Sequence, residues 1–390
     1  MLHSAYQTTT NTVHVMEEKI NGVRFVNPQK QYSDMRDEIL KTVDDVFSRG
    51  DLINRKDLTE FEEAVAEFVG VKYAIGVNSG TDALSLVMEA AGIGPGDEVI
   101  TVGHTFMSSI SAIYHQGAEA VLIDVKPDFN MDVSQLEAAI TPKTKAIEPV
   151  HLNGRMSEME AIMKIAEKHN LLVIEDAAQA LGSKMQINGE WKMAGSIGLA
   201  GCFSMYPFKV LGGFGDGGMV TTNDEELAEG IRRLRYNGED RSDRKFYNHG
   251  YTALLDNVQA ALLHLKLKRF PGWLERRREI ANLYYEGLKD LAQLKLPHFD
   301  DPRFYDIYQN YVIRTERRDE LNAFLDKNNV ETLISWALPM YKQPVMMPNQ
   351  IHLPETEAIC NEVISLPMFP ELTNEEAQYV IDTIRHFFSL

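Results

Sequence analysis

The central part of the chain alternates short apolar segments with longer amphipathic ones. Between residues 72 and 222 seven apolar segments recur, namely KYAIGV, DEVITV, AEAVLIDV, TKAIEPVHL, LLVIEDAA, AGCFSM and GGMVTT. Apolar runs of this length are typical of strands in a parallel sheet that is covered on both faces. The alternation therefore predicts an α/β fold with a mainly parallel central sheet.

The segments between these strands have helical periodicity. In SGTDALSLVMEAAG, Leu84, Val87 and Met88 recur at positions i, i+3 and i+4, and Gly92 supplies a C-terminal stop. A similar spacing occurs in SEMEAIMKIAEKHN, between two predicted strands. Each pattern predicts a helix with one buried face, and we expect the crossover between its strands to be right-handed.

The two ends of the chain differ from this centre. Residues 1–30 are polar and irregular, and they predict an N-terminal arm. Residues 31–254 form the predicted large α/β domain. After residue 250 the sequence becomes strongly helical, with an interruption at Pro271-Gly272, and short strands then mix with helices. We therefore expect a smaller C-terminal α+β domain over residues 255–390.

Composition and charge narrow the class of protein. The 390 residues are 44% hydrophobic and 25% charged, as in globular domains, and a net charge of -18 without a basic tract argues against a nucleic-acid surface. The start of the chain lacks the features of a signal peptide, and no run of about 18 apolar residues occurs. Cys202 and Cys360 lie in apolar contexts that favour buried free thiols. These features predict a cytoplasmic protein that neither binds nucleic acid nor spans a membrane.

Two of the strand ends carry polar residues that are suited to ligand binding. In VNSGTDALSL a helix follows a strand at once, which places Gly80 and Thr81 where helix N-termini bind phosphate. A simple N-cap is the alternative interpretation. In VIEDAAQALG a strand delivers Glu175 and Asp176 to the edge where α/β sheets bind ligands, and Gln179 follows one turn later. Capping of the next helix is the alternative here.

Two further segments contain candidate residues. Lys209 lies among apolar neighbours in MYPFKVLGGFG; a loop lysine is usually solvated, but an amine in an apolar pocket has a lowered pKa and attacks aldehydes. The glycines that follow do not form the G-x-G-x-x-G pattern of a dinucleotide site. Phe106 in HTFMSSISAI follows a strand and is either a core residue or a stacking surface. His104, His151 and His249 lack metal-ligand spacing, so no metal site is predicted.

One cofactor accounts for all four segments. Pyridoxal 5'-phosphate requires a lysine for its aldehyde, an acid beside its pyridine nitrogen, a phosphate-binding group and a side chain that stacks on its ring. The chain offers Lys209, Asp176, the SGTDAL segment and Phe106 for these roles. Ser204, five residues before Lys209, is placed to add a hydroxyl to the phosphate site.

Taken together and in this order, the motifs resemble the DegT/StrS family of pyridoxal-phosphate sugar aminotransferases, of fold type I. The resemblance runs from about residue 26 to 390 and rests on SGTDAL, GIGPGDEVIT, AAITPKTKAI, VIEDAAQALG, FSMYPFKVLGGFGDGGMVTTND, LDNVQAALLHLKL and SLPMFPELT. It implies a large domain around a seven-stranded sheet and a smaller C-terminal domain. It also implies a homodimer in which the second subunit completes each active site.

The resemblance implies roles for individual residues. Lys209 is expected to bind the cofactor aldehyde and to move a proton between the donor carbon and the cofactor, and Asp176 to pair with the pyridinium nitrogen. Gln179 is expected near the 3'-oxygen of the cofactor, and Phe106 on its ring. The residues expected around the phosphate are Gly80, Thr81 and Ser204, with Thr252 reaching the phosphate in the partner subunit.

The activity implied is transfer of the amino group of L-glutamate to a keto-sugar, foremost a nucleotide-linked 3- or 4-keto-6-deoxyhexose. NSGTDAL is slightly more similar to family members that act at C3. Lysine at position 209, where the family's dehydratases carry histidine, makes dehydration the weaker alternative.

Three departures from the usual family pattern affect the expected pocket. Thr252 and Leu254 occur in GYTALLD, where GYNSRLD is common, and Ser335-Trp336 replaces a frequent His-Tyr pair. A keto-cyclitol or a keto-sugar phosphate is therefore an alternative acceptor. A catalytically silent binding or regulatory protein is the alternative from a different class.

Overall fold

The computed structural model describes residues 22–297, 300–347 and 349–390. Of the predicted arm, residues 1–21 lie outside this part of the chain, and the first helix begins at Pro28. The helices are α1 (Pro28–Arg49), α2 (Lys56–Val69), α3 (Gly80–Ala90), α4 (Met107–His115), α5 (Val133–Leu136), α6 (Met159–His169), α7 (Glu225–Leu234), α8 (Asn257–Leu267), α9 (Phe270–Leu288), α10 (Arg318–Lys327), α11 (Pro354–Glu362) and α12 (Asn374–Ser389). The strands are β1 (Tyr73–Val77), β2 (Glu98–Val102), β3 (Glu119–Ile123), β4 (Thr144–Ile147), β5 (Leu172–Asp176), β6 (Lys184–Ile187), β7 (Glu190–Met193), β8 (Ala200–Ser204), β9 (Gly218–Thr222), β10 (Glu239–Asp240), β11 (Lys245–Phe246), β12 (Phe304–Tyr305), β13 (Tyr311–Arg314) and β14 (Val363–Leu366). None of the described helices is both long and apolar enough to cross a bilayer.

A seven-stranded sheet in the order β1-β9-β8-β5-β4-β2-β3 forms the centre of the molecule. Each of the seven predicted apolar segments supplies one of its strands. β9 runs antiparallel to both of its neighbours, whereas β8, β5, β4, β2 and β3 pair in parallel. The predicted mainly parallel sheet of a fold type I enzyme is therefore confirmed.

Both helices that were predicted from periodicity are present, and their ends have recognisable caps. At the start of α3 the hydroxyl of Ser79 accepts a hydrogen bond from the backbone N–H of Asp82. Past its end, Gly92 adopts the left-handed conformation, with φ of 71°. α6 ends at Asn170, which is also left-handed.

Helices cover both faces of the sheet. Apolar residues of α3, α4 and α7 pack on one face, here called the α3 face, together with strand residues such as Ile174. Residues of α2, α6 and α8 pack on the other, the α6 face, together with Val173. Successive strand side chains point to opposite faces. Glu175 therefore lies on the α6 face, and Asp176 on the α3 face.

The C-terminal part of the chain has its own apolar cluster. It joins the second half of α9 to α10, α12 and the antiparallel pair β13 and β14. The buried side chains of α8, such as Leu263, pack instead into the core on the α6 face. The exact division at residues 254 and 255 stays a prediction, and the packing adds that α8 shares the core of the larger part.

Candidate active site

The candidate residues converge at the carboxyl edge of the sheet. β5 ends at Asp176 and β8 at Ser204. α3 begins at Gly80, directly after β1, which runs in the same direction as β8 because both are antiparallel to β9. Phe106 precedes α4 after β2. The fold thus gathers four separate segments at the edge where open α/β sheets bind their ligands.

Asp176 is a buried acid on the α3 face with few hydrogen-bond donors. Its Oδ2 accepts from the hydroxyl of Ser109 at 2.8 Å, and its Oδ1 accepts from the backbone N–H of Ala178 at 3.1 Å. Burial raises the pKa of Asp176 above its usual value, although these donors and the nearby charge of Lys209 act in the opposite direction. An acid in this state gains from a cationic partner.

Glu175, the adjacent residue, is paired completely on the α6 face. Its carboxylate accepts from the backbone N–H groups of Gly195, Ile197 and Gly198, each at 2.8 Å. The Nδ1 atom of His151 accepts from a backbone N–H, so its Nε2 carries the proton and donates to Glu175 at 3.0 Å. Burial opposes ionisation, but His151 and the N–H groups prevail and lower the pKa of Glu175. Glu175 is therefore a structural carboxylate.

Lys209 lies in the loop between β8 and β9. Its side chain is half-buried, and burial lowers the pKa of its amine, an effect that the charge of Asp176 partly offsets. The solvated alternative does not describe this side chain. A lysine with a lowered pKa has more of the neutral, nucleophilic amine at neutral pH.

The start of α3 forms a tight cradle of small residues. A Cβ added at Gly80 would lie 2.8 Å from the Cβ of Ser204, and one at Gly218 would lie 2.2 Å from the carbonyl oxygen of Ser79. The N–H groups of Gly80 and Thr81 belong to the first turn, where helices lack internal acceptors. The hydroxyl of Thr81 lies 2.7 Å from that of Ser108. Ser79 caps the helix, as the N-cap interpretation expects. The phosphate interpretation stays a prediction, and the first-turn N–H groups lie at the edge of the sheet where it places them.

The other candidates differ in their placement. The side-chain oxygen of Gln179 accepts a hydrogen bond from the backbone N–H of Asn153 at 2.8 Å, and this bond fixes the position of the Gln179 amide. Phe106 is 60% exposed, which excludes the core interpretation and leaves its ring free to stack. Thr252 belongs to a separate exposed segment, where its hydroxyl bonds to Asn237 at 3.4 Å.

Sequence reasoning missed two buried polar residues beside Asp176. Ser109, the donor to Asp176, lies three positions after Phe106 in a motif that had already been singled out. Glu148 follows β4, and neither of its carboxylate oxygens has a hydrogen-bond partner among the described residues. Burial and the charge of Asp176 raise the pKa of Glu148 well above its usual value. An acid at the end of an apolar strand, as in VIED, was the available signal for Glu148.

Trp336 packs against a residue of the segment that carries Phe106. The ring of Trp336 packs edge-on against that of His104, with 5.3 Å between their centroids, and its backbone is left-handed, with φ of 54°. His104, which lies two residues before Phe106, is buried. Its burial and, to a smaller extent, the charge of Arg314 lower the pKa of His104 to about 3. His104 is therefore neutral, and Trp336 packs against it.

Comparison with known proteins decides the family. Residues 33–385 match the model of the DegT/DnrJ/EryC1/StrS aminotransferase family. The chain belongs to this aminotransferase family. The expected family and the aminotransferase class are thereby confirmed.

Individual relatives resemble this DegT/DnrJ/EryC1/StrS aminotransferase over almost its whole length. The pleiotropic regulatory protein of Geobacillus stearothermophilus is 42% identical over 94% of this chain and 99% of its own. The dTDP-3-amino-3,4,6-trideoxy-alpha-D-glucose transaminase of Micromonospora megalomicea subsp. nigra is 38% identical over 91% and 96%. The crystal structure of DesV from S. venezuelae, in complex with a ketimine intermediate, superposes with a TM-score of 0.90 at 37% identity, over 94% and 98% of the two chains.

The residues of this aminotransferase fit pyridoxal phosphate. The small-residue cradle at Gly80 and Gly218 leaves first-turn N–H groups for a phosphate. Asp176 is a buried acid with few donors, which suits a pyridinium N–H. Lys209 supplies an amine of lowered pKa within electrostatic range of Asp176. All three groups occur at one edge of the sheet.

Proposed function

We propose that this enzyme transfers the amino group of L-glutamate to the ketone of a nucleotide-linked keto-sugar, a 3- or 4-keto-6-deoxyhexose, in amino-sugar biosynthesis. The observation that carries the proposal is the buried Asp176 and the half-buried Lys209 within electrostatic range of each other, at the sheet edge where α3 begins. Bound pyridoxal phosphate would supply an aldehyde and an electron-withdrawing ring.

The chain's own residues then perform distinct tasks. Lys209 supplies a neutral amine as nucleophile and afterwards moves a proton between the donor carbon and the cofactor. Asp176 would hold the proton at the ring nitrogen. Gln179 would orient the 3'-oxygen, and Phe106 would cover the ring. Gly80, Thr81 and Ser204 would hold the phosphate.

The nature of the relatives and of the pocket supports a sugar acceptor. The Micromonospora relative is named for a dTDP-linked 3-amino sugar, which supports amination at C3. Leu254 replaces a common arginine and is buried, with a backbone bridge to Val77, so it forms part of the core. Trp336 packs on His104, in the segment that carries Phe106. We therefore assign acceptor selection to Trp336 rather than to Leu254.

A homodimer with shared sites is part of the proposal. Large apolar side chains are exposed near the end of α1, with Phe47 and Leu52 each 55% exposed and Ile53 47% exposed. Phe106 is also exposed, at 60%. A second subunit would cover these side chains, and it would bring Thr252 to the phosphate in its partner. We place this enzyme in the cytoplasm, in line with its two buried free thiols.

The visible absorption spectrum of the protein with pyridoxal phosphate tests the proposal. We expect a yellow band that is bleached by L-glutamate and restored by a keto-sugar acceptor. Lys209→Ala should fold and lack both the band and turnover, and full activity of this variant would end the proposal. A band that ignores glutamate would contradict the proposed donor, and no band at all would favour a binding protein.

A panel of acceptors then identifies the substrate class. The proposal predicts that a dTDP- or UDP-linked keto-sugar restores the band faster than the corresponding keto-sugar phosphate or a keto-cyclitol. The reverse order would replace the nucleotide-sugar assignment with one of these two alternatives. Trp336→Tyr should change the order of preference among acceptors while leaving the reaction with glutamate within twofold of the parent.

A further inference from the structure

One side chain bonds to the backbone on both sides of Lys209. The Oε1 atom of Gln309 accepts from the backbone N–H of Val210 at 2.8 Å, and its Nε2 donates to the carbonyl oxygen of Phe208 at 2.9 Å. These are the two residues that flank Lys209. A primary amide paired in this way imitates the pairing of two strands, and Gln309 is itself buried.

The segment that carries Gln309 is held firmly in place. The guanidinium of Arg277 is buried and donates to the carbonyl oxygens of Tyr308 and Gln309, at 3.1 and 3.3 Å. Tyr308 is left-handed, with φ of 52°. A Cβ added at Gly154 would lie 2.7 Å from the backbone nitrogen of Gln309, so the two backbones are in close contact. Gln309 therefore approaches the loop from a fixed position.

The next residue reaches a second part of the site. The side chain of Asn310 donates to the side-chain oxygen of Asn153 at 3.3 Å. The backbone N–H of Asn153 in turn donates to Gln179 at 2.8 Å. Two adjacent residues, Gln309 and Asn310, thus connect the Lys209 loop with Gln179.

We propose that Gln309 is a positioning residue that acts through the backbone of Lys209 and, with Asn310, keeps the Lys209 amine in register with the Asp176 side of the site. The inference rests on the proposed function, in which Lys209 attacks the cofactor aldehyde. Without the amide, the Phe208 carbonyl and the Val210 N–H lose their shared side-chain partner, and the bond from the Lys209 N–H to Tyr206 at 2.8 Å remains. The backbone on either side of Lys209 is then held less firmly, and the origin of the amine is less fixed. A misplacement of about 1 Å lowers such reaction rates by roughly a hundredfold.

Two matched substitutions test this assignment. Gln309→Met keeps the length of the side chain and removes both hydrogen bonds. Gln259→Met is the control, because Gln259 accepts from the backbone N–H of Phe214 at 3.0 Å in the same loop, at a distance from Lys209. Gln309→Glu keeps the acceptor for Val210 and loses the donor to Phe208, so it serves as the conservative variant.

The measurements separate positioning from a structural effect. We expect Gln309→Met to slow the appearance of the visible band by at least tenfold when apoprotein is mixed with pyridoxal phosphate. Its kcat should fall by a similar factor, with the KM for glutamate within twofold of the parent. Hydrogen exchange should show lost protection at the Val210 amide in the apoprotein. Gln309→Glu should be intermediate, and Gln259→Met should stay within twofold in band formation and kcat.

Three results would overturn the inference. Parental rates in Gln309→Met, despite lost protection at Val210, would show that the hydrogen bonds exist without positioning the amine. Equal slowing in Gln259→Met would indicate general loosening of the loop. If Gln309→Met does not fold, parental rates in Gln309→Glu would exclude the role. A parent protein without any band would instead contradict the proposed function, which separates the two failures.

Discussion

Two adjacent carboxylates on opposite faces of the sheet differ in their hydrogen-bond donors and in the direction of their pKa shifts. On the α6 face, Glu175 receives three backbone N–H groups and the proton of His151, and the pKa of Glu175 falls. On the α3 face, Asp176 receives two donors from the described part of the chain, the Ser109 hydroxyl and one backbone N–H, and its pKa rises. Both carboxylates are buried. The supply of donors, rather than the depth of burial, therefore separates a structural acid from one that is open to a ligand.

The largest effect should come from removing the charge on the α3 face. Asp176→Asn keeps the shape of the side chain and can no longer hold a proton on the ring nitrogen. We expect turnover to fall about a thousandfold, or roughly 4 kcal/mol, since each factor of ten is about 1.4 kcal/mol. Folding, followed by circular dichroism, should be unaffected. A variant as fast as the parent would remove Asp176 from the site.

The same change on the α6 face should affect stability instead. Glu175→Gln places an amide against backbone donors and replaces the carboxylate that accepts the His151 proton with a neutral group. Weakening charge-assisted hydrogen bonds to a buried carboxylate costs about 2–3 kcal/mol. Urea unfolding of the apoprotein should show this loss. Unchanged stability, or a loss of turnover in a variant of parental stability, would contradict the structural role of Glu175.

Glu148 extends the comparison to a carboxyl group without donors. Its two oxygens have no hydrogen-bond partner among the described residues. Burial of this carboxyl group therefore lowers the free energy of unfolding of the protein. Glu148→Met replaces it with an apolar side chain of similar size. We expect the free energy of unfolding of the apoprotein at pH 7 to rise by about 1–2 kcal/mol. A loss of stability would indicate that the carboxyl group has a favourable partner.

The smallest effect concerns pH, and the two carboxylates should give opposite signs. The folded pKa of Asp176 lies above its unfolded value near 3.8, so its contribution to stability falls as pH rises between these two values. The stability of Asp176→Asn relative to the parent should therefore increase with pH in this window. The folded pKa of Glu175 lies below 4.5, so the advantage of the parent over Glu175→Gln should be lost as pH falls below 4.5. Urea titrations of the three apoproteins from pH 3 to 7 measure both slopes, and slopes of equal sign would refute the comparison.

Local sequence patterns predicted more of the fold than of the candidate site. Apolar runs and helical spacing predicted the seven strands and α3, because burial of a strand or helix face leaves a local period. The apolar segments that deliver Lys209 and Asp176 were recognisable in the sequence, and the catalytic roles of both residues stay a prediction. No local pattern predicted which face of the sheet Glu175 or Asp176 occupies. The alternation of side chains along a strand requires only that the two residues lie on opposite faces.

The missing parts of the site depend on contacts that are distant in sequence. The donors to Glu175 come from residues 195–198, across a turn whose position is set by tertiary packing. Gln309 is an ordinary glutamine between tyrosines in YDIYQNY, and only the folded chain brings it to Lys209. The placement of α8 on the larger core also follows from packing against α1 and α2 rather than from its own period.

The bond between Val210 and Gln309 also orders events during synthesis. The two residues are 99 positions apart. At about 5–20 residues per second, the ribosome adds Gln309 roughly 5 to 20 s after Val210. Throughout this interval the nascent chain contains the reactive lysine without the amide that holds its loop. If Gln309 positions the Lys209 loop as proposed, capture of the cofactor requires a chain that extends at least to residue 309, and chains released earlier lack the amide that holds this loop.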